Sequence, residues 1–112
     1  MSKISFEGIG SVMATCRAEE GVAGGQVVKL TGSAAVAPCS AGDAFCGVAM
    51  EPRAGITGVQ FKGFMTVTCT GELTPGWATL AADGSGGIKS AASGVTALVV
   101  CADGDGTAVI CL

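Results

Sequence analysis

The run Gly58-Val59-Gln60-Phe61-Lys62-Gly63-Phe64-Met65-Thr66-Val67-Thr68-Cys69-Thr70 decides the fold class. Val59 and Phe61 alternate with Gln60 and Lys62, and Met65, Val67 and Cys69 alternate with Thr66, Thr68 and Thr70. A period of two puts one set on each side of an extended chain. Each half therefore reads as a strand with one buried face and one face left to water or to a partner. Gly63 divides the halves and marks either a hairpin turn or a bulge in one longer strand.

The same pattern continues in both directions. Short apolar runs predict strands at residues 11–16, 26–30, 34–37, 45–51, 77–81, 95–102 and 107–112, besides 58–62 and 64–70. Between them lie turn signals: Thr31-Gly32, Ala41-Gly42-Asp43-Ala44, Leu73-Thr74-Pro75-Gly76, Asp83-Gly84 and Asp103-Gly104-Asp105-Gly106. Pro38 and Pro52 each stop a strand. Residues 17–25 are polar and glycine-rich, a loop. Residues 85–94 are the best helix candidate, but their glycines and serines favour a loop. About nine short strands at spacings of roughly 8–12 residues predict an all-β fold, a small barrel or sandwich. Residues 11–112 form its single domain, and residues 1–10, with Ile4, Phe6 and Ile9, form an extended N-terminal arm.

The chain of 112 residues is 49% hydrophobic and 13% charged, against roughly 25% charged for an ordinary soluble domain. A coat of Ser, Thr, Gly and Ala on a monomer is one explanation. Coverage of part of the surface by another protein is the favoured one, because interface cores are depleted in charge. The net charge is −3, and Lys3, Arg17, Lys29, Arg53, Lys62 and Lys89 are scattered, which argues against nucleic-acid binding. No apolar run is long enough for a membrane-spanning helix. The N-terminus lacks the apolar centre of a signal peptide, so synthesis in the cytoplasm is expected.

The residue inventory also speaks against catalysis. Without histidine there is no Ser-His-Asp or Cys-His arrangement, and without tyrosine that general acid is missing too. The acidic residues lie mostly at turns, where Asp beside Gly serves local hydrogen bonding. The six cysteines at 16, 39, 46, 69, 101 and 111 show no C-x-x-C spacing. They read as thiols used as small hydrophobes rather than as disulfides or a zinc site. Arg17 beside Cys16 is the one neighbour that would activate a thiol. Asp103 to Gly106 reads as a turn rather than a calcium loop, and residues 84–87 lack the lysine of a phosphate-binding loop. No cofactor is expected and the chain does not read as an enzyme. Trp77, after Pro75-Gly76, reads first as a core plug beneath its turn and second as an interface anchor. Phe61 and Phe64 divide the same way. These three, with Ile4, Phe6 and Ile9, are the candidate partner-binding residues.

The order of these pieces resembles bacteriophage head decoration, or capsid cement, proteins: the lambda-like group and related small phage β domains. The resemblance runs over residues 25–112. It rests on Gly25-Gln26-Val27-Val28-Lys29-Leu30, on Gly42-Asp43 followed by Gly47-Val48, on Val59-Gln60 followed by Gly63, on Leu73-Thr74-Pro75-Gly76-Trp77, on Leu80-Ala81-Ala82-Asp83-Gly84 and on the terminal run 107–112. It implies a β-tulip-like domain, often trimeric, that binds the major capsid protein on the outside of an expanded head and holds neighbouring coat subunits against internal pressure. The competing expectations are another self-assembling phage structural protein, of tail or head, and a small-ligand-binding β-barrel.

Overall fold

A computed structural model describes residues 11–102 and 106–112. The arm at 1–10, with Ile4, Phe6 and Ile9, lies outside the described residues, as do Asp103, Gly104 and Asp105. Ten strands and no helix form among the described residues: β1 Val12–Ala18, β2 Val27–Gly32, β3 Ala35–Pro38, β4 Gly47–Ala49, β5 Ile56–Lys62, β6 Phe64–Thr68, β7 Gly76–Ala82, β8 Ile88–Ser90, β9 Val95–Ala102 and β10 Thr107–Cys111. The all-β expectation holds.

The first five strands close a small barrel in the order β1-β3-β2-β4-β5, and the last five form a sheet in the order β6-β10-β9-β7-β8. The barrel closes where β1 pairs antiparallel with β5 from Val12↔Lys62 to Arg17↔Ile56. The sheet's outer strands also approach each other, through a bridge between Cys69 and Ile88.

Two cores follow from this arrangement. Cys16, Val28, Val36, Ala49 and Val59 fill the barrel, with Phe61 packed against them. The larger core lies between barrel and sheet, where Val27, Phe45 and Val48 meet Met65, Leu80, Ile88, Val99 and Ile110. Alternation explains how β2 serves both: Val28 faces into the barrel while Val27, its neighbour, faces the sheet.

Gly63 is neither a hairpin turn nor a bulge in a single ladder. β5 belongs to the barrel and β6 to the sheet, and the chain passes from one to the other through Gly63 at φ 102°. Its N–H and C=O both pair with Leu112. The alternation is unbroken through this corner, since Val59, Gly63, Met65 and Val67 are all buried. The corner needs a residue that tolerates positive φ and fills a buried place without a side chain, and glycine does both.

Other boundaries move for local reasons. β2 runs on to Gly32, and its turn falls on Ser33 and Ala34, the latter at φ 52°. β1 extends through Arg17 and Ala18, which had read as loop. The loop expected over 85–94 contains β8. Ile88 is its only apolar residue and is completely buried; one residue leaves no periodicity to read.

Candidate functional site

Four strands of the sheet, β6, β10, β9 and β7, contain no charged residue. On the side away from the core, Trp77 stands opposite Leu98, Leu98 opposite Cys111, and Cys111 opposite Phe64. These four side chains make one row across the sheet. Val109 and Thr66 stand opposite each other in the next row. A register shift in the β9–β10 ladder falls between Val109 and Ile110 and leaves Val100 without an opposite residue. A bulge of this kind twists the ladder locally.

Trp77 does not plug the core. It is 76% exposed, and the parity of its strand explains why. Ala78, Leu80 and Ala82 face the core, so Trp77 must face outward. Phe64 is half-buried at the other end of the row. Phe61 is elsewhere, half-buried against the barrel interior. The structure thus brings Phe64 and Trp77 onto one surface and separates Phe61 from them. Leu98 and Cys111 complete the row. They were hidden in sequence because β9 and β10 are apolar on both faces.

Polar groups near the turns hold the scaffold. The Lys29 ammonium lies 2.7 Å from an Asp43 carboxylate oxygen that also accepts the Ser40 N–H at 2.8 Å. The Lys29 hydrogen bond, then the Ser40 one, hold the Asp43 carboxyl below its ordinary range, and the same contact holds Lys29 above its own. This joins β2 to the segment between β3 and β4. Asp43 and Asp83 both behave as the local hydrogen-bonding devices expected at glycine turns.

None of the six cysteines is in a disulfide. Cys16 is buried inside the barrel, whereas Arg17 beside it is exposed, so adjacency in sequence is not adjacency of the two side-chain heads. Burial, then the Asp43 charge, pushes the Cys39 thiol up to about 11, against an opposing pull from Lys29. Burial likewise pushes Cys46 up. Both shifts disfavour the reactive thiolate. Among the described residues no cluster of His, Cys, Asp or Glu is placed to hold a metal ion.

No protein-family model matches this chain, and no curated protein matches it. The candidate site therefore stands on its geometry: an uncharged, mostly apolar sheet face with a projecting indole. Such a face can bind another protein surface by burying apolar area, with Trp77 as its largest anchor.

Proposed function

We propose that the chain is a non-enzymatic structural protein of a phage particle, a decoration protein that binds the outside of the capsid by its uncharged sheet face. The observation that carries this reading is the row Trp77–Leu98–Cys111–Phe64 on strands without a single charge. A face of about four strands by five residues covers on the order of 300–400 Å², from ordinary strand spacings. A stable pairwise interface buries about 800 Å² per partner. The face alone is therefore suited to a weak contact, and weak contacts suffice where many copies meet a repeating lattice and linked copies bind together. The resemblance in the order of strand and turn motifs points the same way. The coat protein is the partner, the capsid exterior is the location, and a trimer is the expected form.

A small-ligand barrel has less support, because side chains of Cys16, Val28, Val36, Ala49 and Val59 occupy the barrel interior. The recess at its end, about 450 Å³ between Arg17, Glu19, Thr31 and Gly55, is wide and open.

The test is sedimentation of the purified chain with empty expanded heads assembled from the coat protein of the same genome. The expected result is saturable binding at a fixed ratio to coat subunits, lost in Trp77→Ala while the domain stays folded. A chain that stays at the top of the gradient at every concentration overturns the reading.

A further inference from the structure

The barrel carries a second exposed apolar patch, on the outside of β1 and β5. Arg17 stands opposite Ile56, Thr15 opposite Gly58, Met13 opposite Gln60, and Val12 opposite Lys62. Met50 lies across Gly58, whose carbonyl accepts its N–H at 2.8 Å, and Arg53 bridges to Ile56. Val12, Met13, Met50 and Ile56 are four of the six large hydrophobic side chains exposed among the described residues, so this face concentrates them. A Cβ added at Gly58 would touch Met50 Cγ at 3.4 Å and Met13 Cε at 3.7 Å. The two thioether chains thus lie over the glycine, and their flexibility lets them repack around an incoming group.

The charged members of the face are Arg17, Arg53 and Lys62, all exposed. The one ion pair among the described residues is Lys29–Asp43, so among those residues these three cations have no carboxylate partner. Two acids lie nearby and keep their charge: Glu19 accepts the Thr31 hydroxyl and Glu51 accepts the Gly24 N–H, both neutral donors. Three of the chain's six bases stand here beside those two acids, a net +1, which leaves three bases against seven acids elsewhere, a net −4 on the rest of the molecule. A positive apolar face on an otherwise acidic chain is complementary to another copy of that chain.

We propose that this face docks a second copy head to tail, taking the partner copy's β6–β7 loop. That loop, residues 69–75, carries exposed Glu72 and Pro75 and half-buried Leu73. Glu72 meets the cations and Pro75 meets the methionines, while Leu73 stays packed against its own core and anchors the loop. The two surfaces differ, so the contact is heterologous. It closes a ring if the rotation permits and otherwise extends into a chain. In a ring, every copy presents its sheet face in the same sense. The inference does not depend on the lattice reading.

Sedimentation velocity and light scattering at low and high salt test it, on the wild-type chain, on the pair Arg53→Glu/Lys62→Glu, on Glu72→Lys, and on all three changes together. The expected result is association in wild type that weakens at least tenfold between about 50 and 500 mM salt. Each partial variant should lose at least tenfold in affinity, and the full charge swap should recover association. All the altered side chains are exposed, so circular dichroism and melting should be unchanged. A wild-type chain that remains monomeric at millimolar concentration in low salt overturns the proposal, as does association that the partial variants leave intact. Failure to bind heads while self-association persists would refute only the capsid role.

Discussion

The Asp83 carboxylate accepts a 2.7 Å hydrogen bond from the Thr70 hydroxyl thirteen residues earlier, and so ties the end of β7 to the segment that follows β6. Its other oxygen accepts the N–H groups of Ser85 at 2.7 Å and Gly87 at 3.1 Å. One side chain therefore fixes the turn that leads into β8 and holds it beside β6. Gly87 is part of the same device: a Cβ there would collide with the hydroxyl and carbonyl of Thr68.

The first prediction concerns acid stability. Partial burial alone would push the Asp83 carboxyl up, but the bonds from Thr70, Ser85 and Gly87 outweigh it and hold it below its ordinary range. A depressed folded value means that the stabilisation is complete above the unfolded value, about 3.9, and is lost as pH falls through the folded one. Asp83→Ala should cost about 1–2 kcal/mol at neutral pH, the usual scale for hydrogen bonds to a charged group in a partly exposed site. The cost should shrink near pH 2–3. Urea unfolding of both chains at pH 7 and pH 2.5 measures it, and an equal gap at the two pH values refutes the argument.

The second prediction uses the β-turn before β5. Ala54 and Gly55 both have positive φ, 52° and 77°, between Arg53 and Ile56, whose N–H and C=O groups pair in both directions. That is a two-residue hairpin turn of the kind that favours Asn-Gly, and alanine is strained in it. Ala54→Asn should raise stability by about 0.5–1 kcal/mol, visible as a higher melting temperature. No rise, or a fall, contradicts the assigned turn.

How far these features were legible in the sequence depends on how much a residue type constrains its surroundings. The alternation at 58–70 gave both strands and their inward faces. It could not show that Gly63 passes the chain from a barrel to a separate sheet, because a bend and a reversal leave the same glycine in the same place. Trp77 was ambiguous since β7 has apolar residues of both parities. Only its pairing with β9, which sets Leu80 inward, settles its direction. Likewise the cations Arg17, Arg53 and Lys62 look scattered along the chain, and it is the β1–β5 ladder and the Arg53–Ile56 bridge that gather them.

The third prediction separates an exposed anchor from a core residue. Trp77 is 76% exposed and Ile110 is completely buried. Trp77→Ala should alter folding stability by less than about 1 kcal/mol, whereas Ile110→Ala should cost about 2–5 kcal/mol through lost burial and a cavity. Chemical denaturation distinguishes them. A large stability loss on removing the indole would mean that it packs inward after all.

The fourth prediction is a close approach in the barrel. Gly47 is buried in β4, and a Cβ there would run into the Gln60 carbonyl oxygen and press on Val59 Cγ1 at 3.1 Å. The obstacle is backbone, which cannot swing aside as a side chain does. Gly47→Ala should therefore destabilise by about 1–3 kcal/mol or more, while Gly32→Ala, at the end of β2, meets neither an obstacle within 4 Å nor the strain of a positive φ. Comparing the two by thermal unfolding isolates the steric part. Equal losses would remove the case for tight β4–β5 packing.

The last prediction concerns thiol chemistry around the Lys29–Asp43 pair. With its thiol pushed up to about 11 by burial and by Asp43, Cys39 should hold on the order of a hundredfold less thiolate at neutral pH than an ordinary cysteine. Asp43→Asn removes the negative charge and leaves the Lys29 ammonium without its carboxylate. Both changes favour the thiolate, so alkylation of Cys39 should accelerate. Lys29→Ala removes the one cation that opposes the shift and should slow it. Iodoacetamide labelling of the native chain, followed site by site by mass spectrometry, reads all three rates. Burial ranks first among the causes, so the acceleration in Asp43→Asn should be partial: the thiol should still label more slowly than in the urea-unfolded chain. If it reaches the unfolded rate, either the charge of Asp43 rather than burial controls the thiol, or the carboxylate is needed to keep the 39–46 segment closed. Amide hydrogen exchange over that segment tells these apart.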